Sequence, residues 1–148
     1  MTTDLTLDLW AVLSLLVGQA PLDAPKLAST LHSPVVQRDI HNAWTDGFFG
    51  GPVTLADGVR IEEAFLRVSR RDPSNAWGLV LKIDGSCVPR AEVLRRHEGL
   101  AITGHPRGAS LNEETHWSRP TPWGKLGFGF AERREDCLSS ILIAGPAW

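Results

Sequence analysis

The clearest pattern in the chain is a strict alternation of large apolar and small residues near its C-terminus. Leu126, Phe128 and Phe130 alternate with glycine or alanine, and a period of two is typical of a β-strand. The polar run Glu132–Asp136 follows, and apolar residues up to Ile143 supply a returning strand. The stretch 122–143 is therefore predicted to form a β-hairpin, with one face buried by its large side chains and the other nearly bare at its glycines.

The N-terminal part of the chain has helical signals instead. An apolar stretch, Asp4–Val17, predicts a first helix that ends at Gly18. Asp23 is placed to cap a second helix, with Pro25 in its first turn and its end near His32. Two helices are thus expected before residue 33.

A third helix is predicted to begin at Ser33-Pro34. Val36, Ile40 and Trp44 recur at a spacing of four, which places them on one helical stripe. With this helix, residues 1–50 form a helical layer.

After residue 52 the period changes to two. Asp57-Gly58 predicts a hairpin, Arg71–Asn75 a turn, and the residues from Trp77 a strand. The boundary at Glu62–Phe65 stays open, because that segment could also begin a helical turn. The remaining predictions are a short helix over 89–97, a strand over 100–103, a polar loop over 104–114, and a strand over 115–118 that ends before two prolines.

These elements predict an α+β fold in one domain, residues 1–148. N-terminal helices pack on a mainly antiparallel sheet of about six to eight strands, built from residues 51–148. A shift of 62 residues also places Ala64 on Leu126 and Leu79 on Ile141. The alternative prediction is that the domain consists of two tandem helix–β-meander repeats.

Composition narrows the classes of function. The chain has 43% hydrophobic and 22% charged residues and a net charge of −2, so it lacks the electrostatic footprint of a nucleic-acid-binding protein. Cys87 and Cys137 are far apart and form no CxxC motif, which favours buried free thiols. The apolar run Leu9–Val17 follows no basic residue, so we interpret it as a core helix and expect a cytoplasmic protein that does not enter a membrane.

Catalytic and metal-binding motifs are weak. His105, Glu113 and His116 could bind zinc, but they lie in a glycine- and proline-containing polar stretch without the H-E-x-x-H spacing. No nucleophile motif or phosphate-binding loop is present. We therefore expect no catalysis, no metal and no cofactor, with a small hydrolase using His105 or His116 as the alternative.

The segment 104–122 is the predicted partner-binding site. It is long, polar and bounded by strands, as binding loops usually are. Its acidic residues would steer a basic partner and its tryptophan could bury in a pocket. The predicted contact residues are Glu113, Glu114, His116, Trp117 and Arg119.

Several motifs together resemble known proteins. A proline-opened helix is followed by Gly104-His105-Pro106, by Trp123-Gly124 before the F-x-F alternation, and by an L-x-S-I-x-I strand. This order resembles the helix–β-meander module of β-lactamase-inhibitor-protein-like domains and of bacterial toxin-immunity proteins. Leu27–Ile40 is similar to the opening of many immunity proteins, and the likeness covers residues 27–45 and 88–143.

The resemblance implies a protein-binding function rather than an enzyme. The expected role is that of an immunity protein in interbacterial competition, which neutralises a cognate toxin by occluding its active site. The alternative is a chaperone or accessory protein of a secreted effector. The family's toxin-contacting residues do not lie in a transferable motif, so the resemblance assigns no residue a role.

Overall fold

The structure is a computed structural model that describes residues 3–148. Over these residues it contains three helices and ten strands. The helices are α1 (Leu9–Val17), α2 (Ala24–Leu31) and α3 (Arg90–Arg96). The strands are β1 (Thr3–Asp4), β2 (Val36–Arg38), β3 (Thr45–Gly50), β4 (Val53–Thr54), β5 (Val59–Ser69), β6 (Trp77–Gly85), β7 (Ala101–Gly104), β8 (Glu114–Thr121), β9 (Gly124–Ala131) and β10 (Ser140–Ala144).

All ten strands belong to one sheet, in the order β1-β4-β5-β6-β10-β9-β8-β7, with β3 on β5 and β2 on β3. Every pairing is antiparallel except the short one between β1 and β4. The predicted α+β fold with a mainly antiparallel sheet is confirmed. The strand count exceeds the expectation because β1, β2 and β4 are fragments of two or three residues.

The first two helices follow their capping residues. The Asp8 carboxylate accepts a hydrogen bond from the Ala11 amide at 2.8 Å, so α1 begins at Leu9 and not at Asp4, which lies in β1. The Asp23 carboxylate caps α2 through the Lys26 amide at 2.9 Å, as predicted.

The predicted third helix is wrong. Residues 36–38 and 45–50 are strands β2 and β3, so the helical layer ends at α2 and not at residue 50. His32 ends α2 in the left-handed conformation, and β3 then pairs along β5 from Thr45↔Ser69 to Gly50↔Ala64. This long-range pairing overrides the local spacing that suggested a helix.

Strand β5 also decides the boundary left open by the sequence. It runs through Glu62–Phe65 without a helical turn, with a bulge between Ile61 and Glu63. The Asp57-Gly58 hairpin before it forms as predicted, since Val53 pairs with Ile61 across the turn.

The C-terminal hairpin is confirmed. Strands β9 and β10 pair antiparallel, with Phe128 opposite Ile141 and Leu126 opposite Ile143. All four side chains lie in the core, together with the apolar sides of α1, α2 and α3. Gly127 and Gly129 face the other way, on the side of the sheet that no described helix covers.

The two central hairpins have matching registers. Leu66 pairs with Leu79 in β5–β6, and Phe128 pairs with Ile141 in β9–β10, as the 62-residue shift requires. The parts around the hairpins differ, because two helices precede the first and one precedes the second. The tandem repeat is not confirmed and stays a hypothesis.

The prediction of free cysteines is wrong. Cys87 and Cys137 form a disulfide, with their Cα atoms 5.2 Å apart. A bridge between Pro89 and Cys137 brings the segment after β6 beside the turn before β10. The two cysteines are 50 residues apart in the sequence. They meet only because β6 and β10 are neighbours in the sheet, which the sequence pattern did not predict.

Replacing Phe128 by alanine tests the buried face of the hairpin. Phe128 is 1% exposed, and truncating a buried phenylalanine typically costs about 3–5 kcal/mol. Urea denaturation should show a loss of that size. The matched control is Leu111→Ala, since Leu111 is 64% exposed and its truncation should change stability by at most about 0.5 kcal/mol. Equal midpoints for both variants would contradict the assignment of the face.

Removing the disulfide tests the covalent link between the segment after β6 and the turn before β10. The Cys87→Ala/Cys137→Ala variant opens a loop with a sequence separation of 50 residues, and its free energy of unfolding should fall by about 2–4 kcal/mol. Reductant should destabilise the unaltered protein by a similar amount and leave the variant unchanged. A wild-type protein whose two thiols react with a thiol reagent without reductant would contradict the pairing.

Candidate partner-binding face

Strand β8 separates the predicted contact residues. Trp117 pairs with Phe128 and Arg119 with Leu126, so both side chains lie on the helix-covered side of the sheet. Glu114 and His116 pair with Ala131 and Gly129, on the opposite side. The structure therefore does not bring the predicted residues together as one surface.

Glu113 has a role inside its own loop. Its carboxylate accepts hydrogen bonds from the backbone amides of Arg107 at 2.6 Å and Gly108 at 3.1 Å. These bonds fold the 105–113 loop back on itself. The Glu113 carboxylate was predicted to contact a partner, but it is already engaged by the backbone of its own loop.

Trp117 is not the exposed anchor that the sequence suggested. It is half-buried and packs against the core cluster beside Phe128. The sequence also placed a strand break at Pro120, whereas β8 continues to Thr121. Proline is tolerated there because β7 reaches only to Ser118 on that side, so no neighbouring strand needs its missing N–H.

Glu114 and His116 do lie on the uncovered side, which we call the outer face. The Ser140 hydroxyl donates a hydrogen bond to Glu114 at 2.9 Å across Gly129. A Cβ at Gly129 would lie 2.7 Å from that carboxylate, so only glycine permits this contact. His116 is half-exposed, with Nε2 4.0 Å from the Glu114 carboxylate.

An apolar row crosses the outer face from strand to strand. Its members are paired neighbours in the order Val36, Phe49, Phe65, Val80, Leu142 and Gly127. The Phe49 and Phe65 rings stack with centroids 4.4 Å apart. Val36 is exposed and the next four side chains are half-buried, so the row is open to a partner rather than covered by the fold.

A basic row runs beside the apolar row. It is formed by the paired positions Arg38, Gly47, Arg67, Gly78, Ala144, Lys125 and Pro120. It contains three basic residues and no acidic one, although the whole chain has a net charge of −2. On the other side of the apolar row, Lys82 is paired with Glu63 at 3.7 Å, so that side is electrostatically compensated.

Two arginines of the basic row are held over aromatic rings. Arg38 lies 5.0 Å from the Phe49 centroid and Arg67 lies 5.2 Å from the Trp148 ring. Trp148 covers Gly78, where a Cβ would meet its ring at 2.6 Å. These stacks order long side chains on an exposed surface, which reduces the entropy that binding would otherwise cost.

Two grooves, which share Glu62 in their linings, lie along the outer face. One of about 550 Å³ is lined by residues that include Val36, Arg38 and Phe49. The other, of about 660 Å³, is lined by residues that include Lys82, Glu114 and Ser140. Both offer space for side chains of a bound protein.

Sequence reasoning missed most of this surface. Phe65 and Val80 alternate with the core residues Leu66 and Leu79, and that alternation was visible in the sequence. The alignment of Phe49, Phe65 and Val80 into one row was not visible, because it depends on the registers of β3, β5 and β6.

The candidate metal residues remain apart. Among residues 3–148, the structure forms no group of three histidine, cysteine or carboxylate side chains with metal-binding geometry. None of the helices in the described part of the chain is both long and apolar enough to cross a bilayer.

On the helix-covered side, His97 is the ionisable group with the clearest perturbation. Its ring lies between Trp10 and Phe128, with centroid distances of 5.4 and 4.9 Å. Burial, and then the positive charges of Arg119 and Arg96, lower the pKa of His97 from its ordinary value of 6.5. His97 is therefore neutral at pH 7.

This shift predicts a pH dependence of stability. The unfolded chain binds a proton to His97 more readily than the folded chain, so the contribution of His97 is complete above pH 6.5 and is lost as the pH falls through the lower folded pKa. Wild type should therefore lose more stability than His97→Gln between pH 7.5 and pH 5 in urea denaturation. Leu111→Ala, at an exposed position without an ionisable group, should keep the wild-type dependence. Parallel profiles for wild type and His97→Gln would contradict the assignment.

Comparison of the chain with protein-family models, with curated proteins and with solved structures found no match.

Proposed function

We propose that the chain is a non-catalytic protein-binding protein and that its partner docks on the outer face of the sheet. The observation that carries this proposal is the apolar row from Val36 to Gly127 with the basic row beside it. Contiguous apolar surface with a polar border is typical of protein interaction sites. Aromatic and arginine side chains, which this face presents together, are the commonest energetic centres of such sites.

The charge of the face defines the chemistry of the partner. Arg38, Arg67 and Lys125 lie in one row without a carboxylate. The complementary surface therefore has an apolar ridge bordered by acidic residues. This differs from the basic partner expected from Glu113 and Glu114, and the reason is that Glu113 is engaged by its own loop.

The resemblance to immunity proteins suggests what kind of protein the partner is. The partner is then a bacterial toxin whose active site is occluded by the outer face. A chaperone or accessory role for a secreted effector is the second candidate, because an open apolar row also suits an effector segment. The protein encoded by the adjacent gene distinguishes the two, since a toxin domain there supports immunity and an effector without toxic activity supports the chaperone.

The cytoplasmic location stays a prediction. The Cys87–Cys137 disulfide favours an oxidising compartment instead, because stable disulfides are rare in the cytosol. Binding measurements should therefore use the oxidised protein.

Charge reversal in the basic row tests the proposed face. Arg38→Glu with Lys125→Glu alters two exposed side chains at opposite ends of the row, and it should weaken binding to the adjacent-gene protein at least tenfold and slow its association. The matched control is Arg95→Glu with Arg107→Glu, which makes the same change in net charge at exposed positions outside the face. Surface plasmon resonance at low and moderate salt provides both the affinity and the association rate.

Three results would contradict the proposal. The first is equal affinity for the face variant and the control. The second is loss of binding in Glu113→Gln, which leaves Glu114 on the outer face unaltered, with full binding in the face variant; this would return the site to the 104–122 segment. The third is tighter binding to a single-stranded oligonucleotide than to the adjacent-gene protein, since a basic row can also attract phosphates.

A further inference from the structure

A cavity on the helix-covered side has a chemistry that the proposed interface does not use. Its volume is about 220 Å³, and it lies between α1, the end of α3 and strands β8 and β9. We call it the His97 cavity. Its lining residues are Trp10, Leu13, Ser14, Val17, Arg96, His97, Arg119 and Leu126.

The wall of the cavity is apolar apart from Ser14 and one basic cluster. Trp10, Leu13, Val17 and Leu126 form the apolar part. Arg96, His97 and Arg119 line the remainder. The positive charges of the two arginines disfavour protonation of His97 and so lower its pKa, in addition to the larger effect of burial. The cavity thus has an apolar body and a cationic end.

The cationic end has one carboxylate for two guanidinium groups. Glu92 lies near it, but its Oε1 already accepts hydrogen bonds from Arg96 Nε at 3.1 Å and from Trp10 Nε1 at 3.2 Å. Arg119 makes no ion pair with any residue of the 3–148 range. One acidic side chain therefore serves two donors, and the second guanidinium has none.

Two polar atoms at this end are also without partners inside the protein. Arg119 Nε and His97 Nε2 are both buried, and within the described chain neither has a hydrogen-bond partner. Both residues line the cavity, and because buried polar groups are nearly always hydrogen-bonded, this end of the cavity suits a polar group of a bound molecule. A guanidinium bonds best to a planar carboxylate, which accepts two parallel hydrogen bonds.

We propose that the His97 cavity binds a small organic carboxylate, with the carboxylate beside Arg119 and His97 and an apolar body against Trp10 and Leu13. The volume corresponds to roughly seven waters at about 30 Å³ each, which suits the ring or short chain of a monocarboxylic acid. The same group could be supplied by a free acid or by an acidic side chain of a bound protein. This site is independent of the outer face, because Arg119 and Lys125 lie on opposite sides of the sheet.

Phenylacetate is the probe, and phenylacetamide is its uncharged isostere. Heteronuclear NMR titration of the oxidised full-length protein should show saturable shifts at Trp10 Nε1–H and around His97 with phenylacetate. Phenylacetamide should bind at least tenfold more weakly. Bound carboxylate should also raise the pKa of the His97 imidazole, measured on its ring proton resonances.

Variants separate the two ends of the cavity. Arg119→Gln should weaken phenylacetate binding at least tenfold, whereas Arg119→Lys, which keeps the charge, should bind with an intermediate affinity. Ser14→Leu alters an exposed position on α1 and should block the cavity without touching its charges. Arg95→Gln, on the same helix as Arg96 but outside the cavity, should bind like wild type.

A binding experiment with the adjacent-gene protein distinguishes the two sources of the carboxylate, a free acid and an acidic side chain of a bound protein. Simultaneous binding of phenylacetate and that protein indicates a free acid and is compatible with docking on the outer face. Competition indicates that an acidic side chain of that protein enters the cavity, which would place its contact on the helix-covered side and contradict docking on the outer face. Absence of saturable shifts, equal affinity for the amide, or unchanged binding by folded Arg119→Gln and Ser14→Leu variants would overturn the proposal.

Discussion

The alternation along strand β9 determines what each side of this protein can do. Its large residues, Leu126, Phe128 and Phe130, all face the helices and are at most 3% exposed. Its glycines face outward. Since neighbouring side chains of a strand must point to opposite sides, this pattern fixes the faces of β8 and β10 through their pairing. The positions of the core, the outer face and the His97 cavity all depend on this alternation.

The glycines of the central strands leave the middle of the outer face with few projecting side chains. Gly127 and Gly129 add no side chain between Leu142, Ser140 and β8, and Gly78 is occupied by the ring of Trp148. Apolar side chains therefore concentrate toward β3, β5 and β6, where Phe49 and Phe65 stack. The arginines over aromatic rings place positive charge beside this apolar surface, and the two properties together favour an acidic protein over a neutral one.

The elements with strong local signals could be predicted from the sequence. The Asp23 cap, the short helix that follows Pro89, the Asp57-Gly58 hairpin and the β9–β10 hairpin each depend on a few adjacent residues. The helix predicted to begin at Ser33-Pro34 was wrong because β3 forms by pairing with β5, and this contact joins residues that are distant in the sequence. The disulfide was missed for the same reason, since only the neighbouring positions of β6 and β10 bring Cys87 near Cys137.

The candidate site depended even more on the register. The prediction of one binding segment over residues 104–122 placed Glu114, Trp117 and Arg119 on one surface, whereas β8 sends Glu114 to one side of the sheet and Trp117 and Arg119 to the other. A strand predicted over the full range of β8, up to Thr121, would have placed Glu114 on the opposite side of the sheet from Trp117 and Arg119. The outer rows would still have been hidden, because each contains residues from strands far apart in sequence.

The most direct measurement is the solvent exposure of methyl groups on the two sides of the sheet, with and without the adjacent-gene protein. A soluble gadolinium chelate should broaden the methyl resonances of Val80 and Leu142 in the free protein and leave those of Leu79 and Ile141 sharp. In the complex, the account predicts that Val80 and Leu142 become protected. Protection of these methyls in the free protein, or unchanged broadening in a saturated complex, would contradict it.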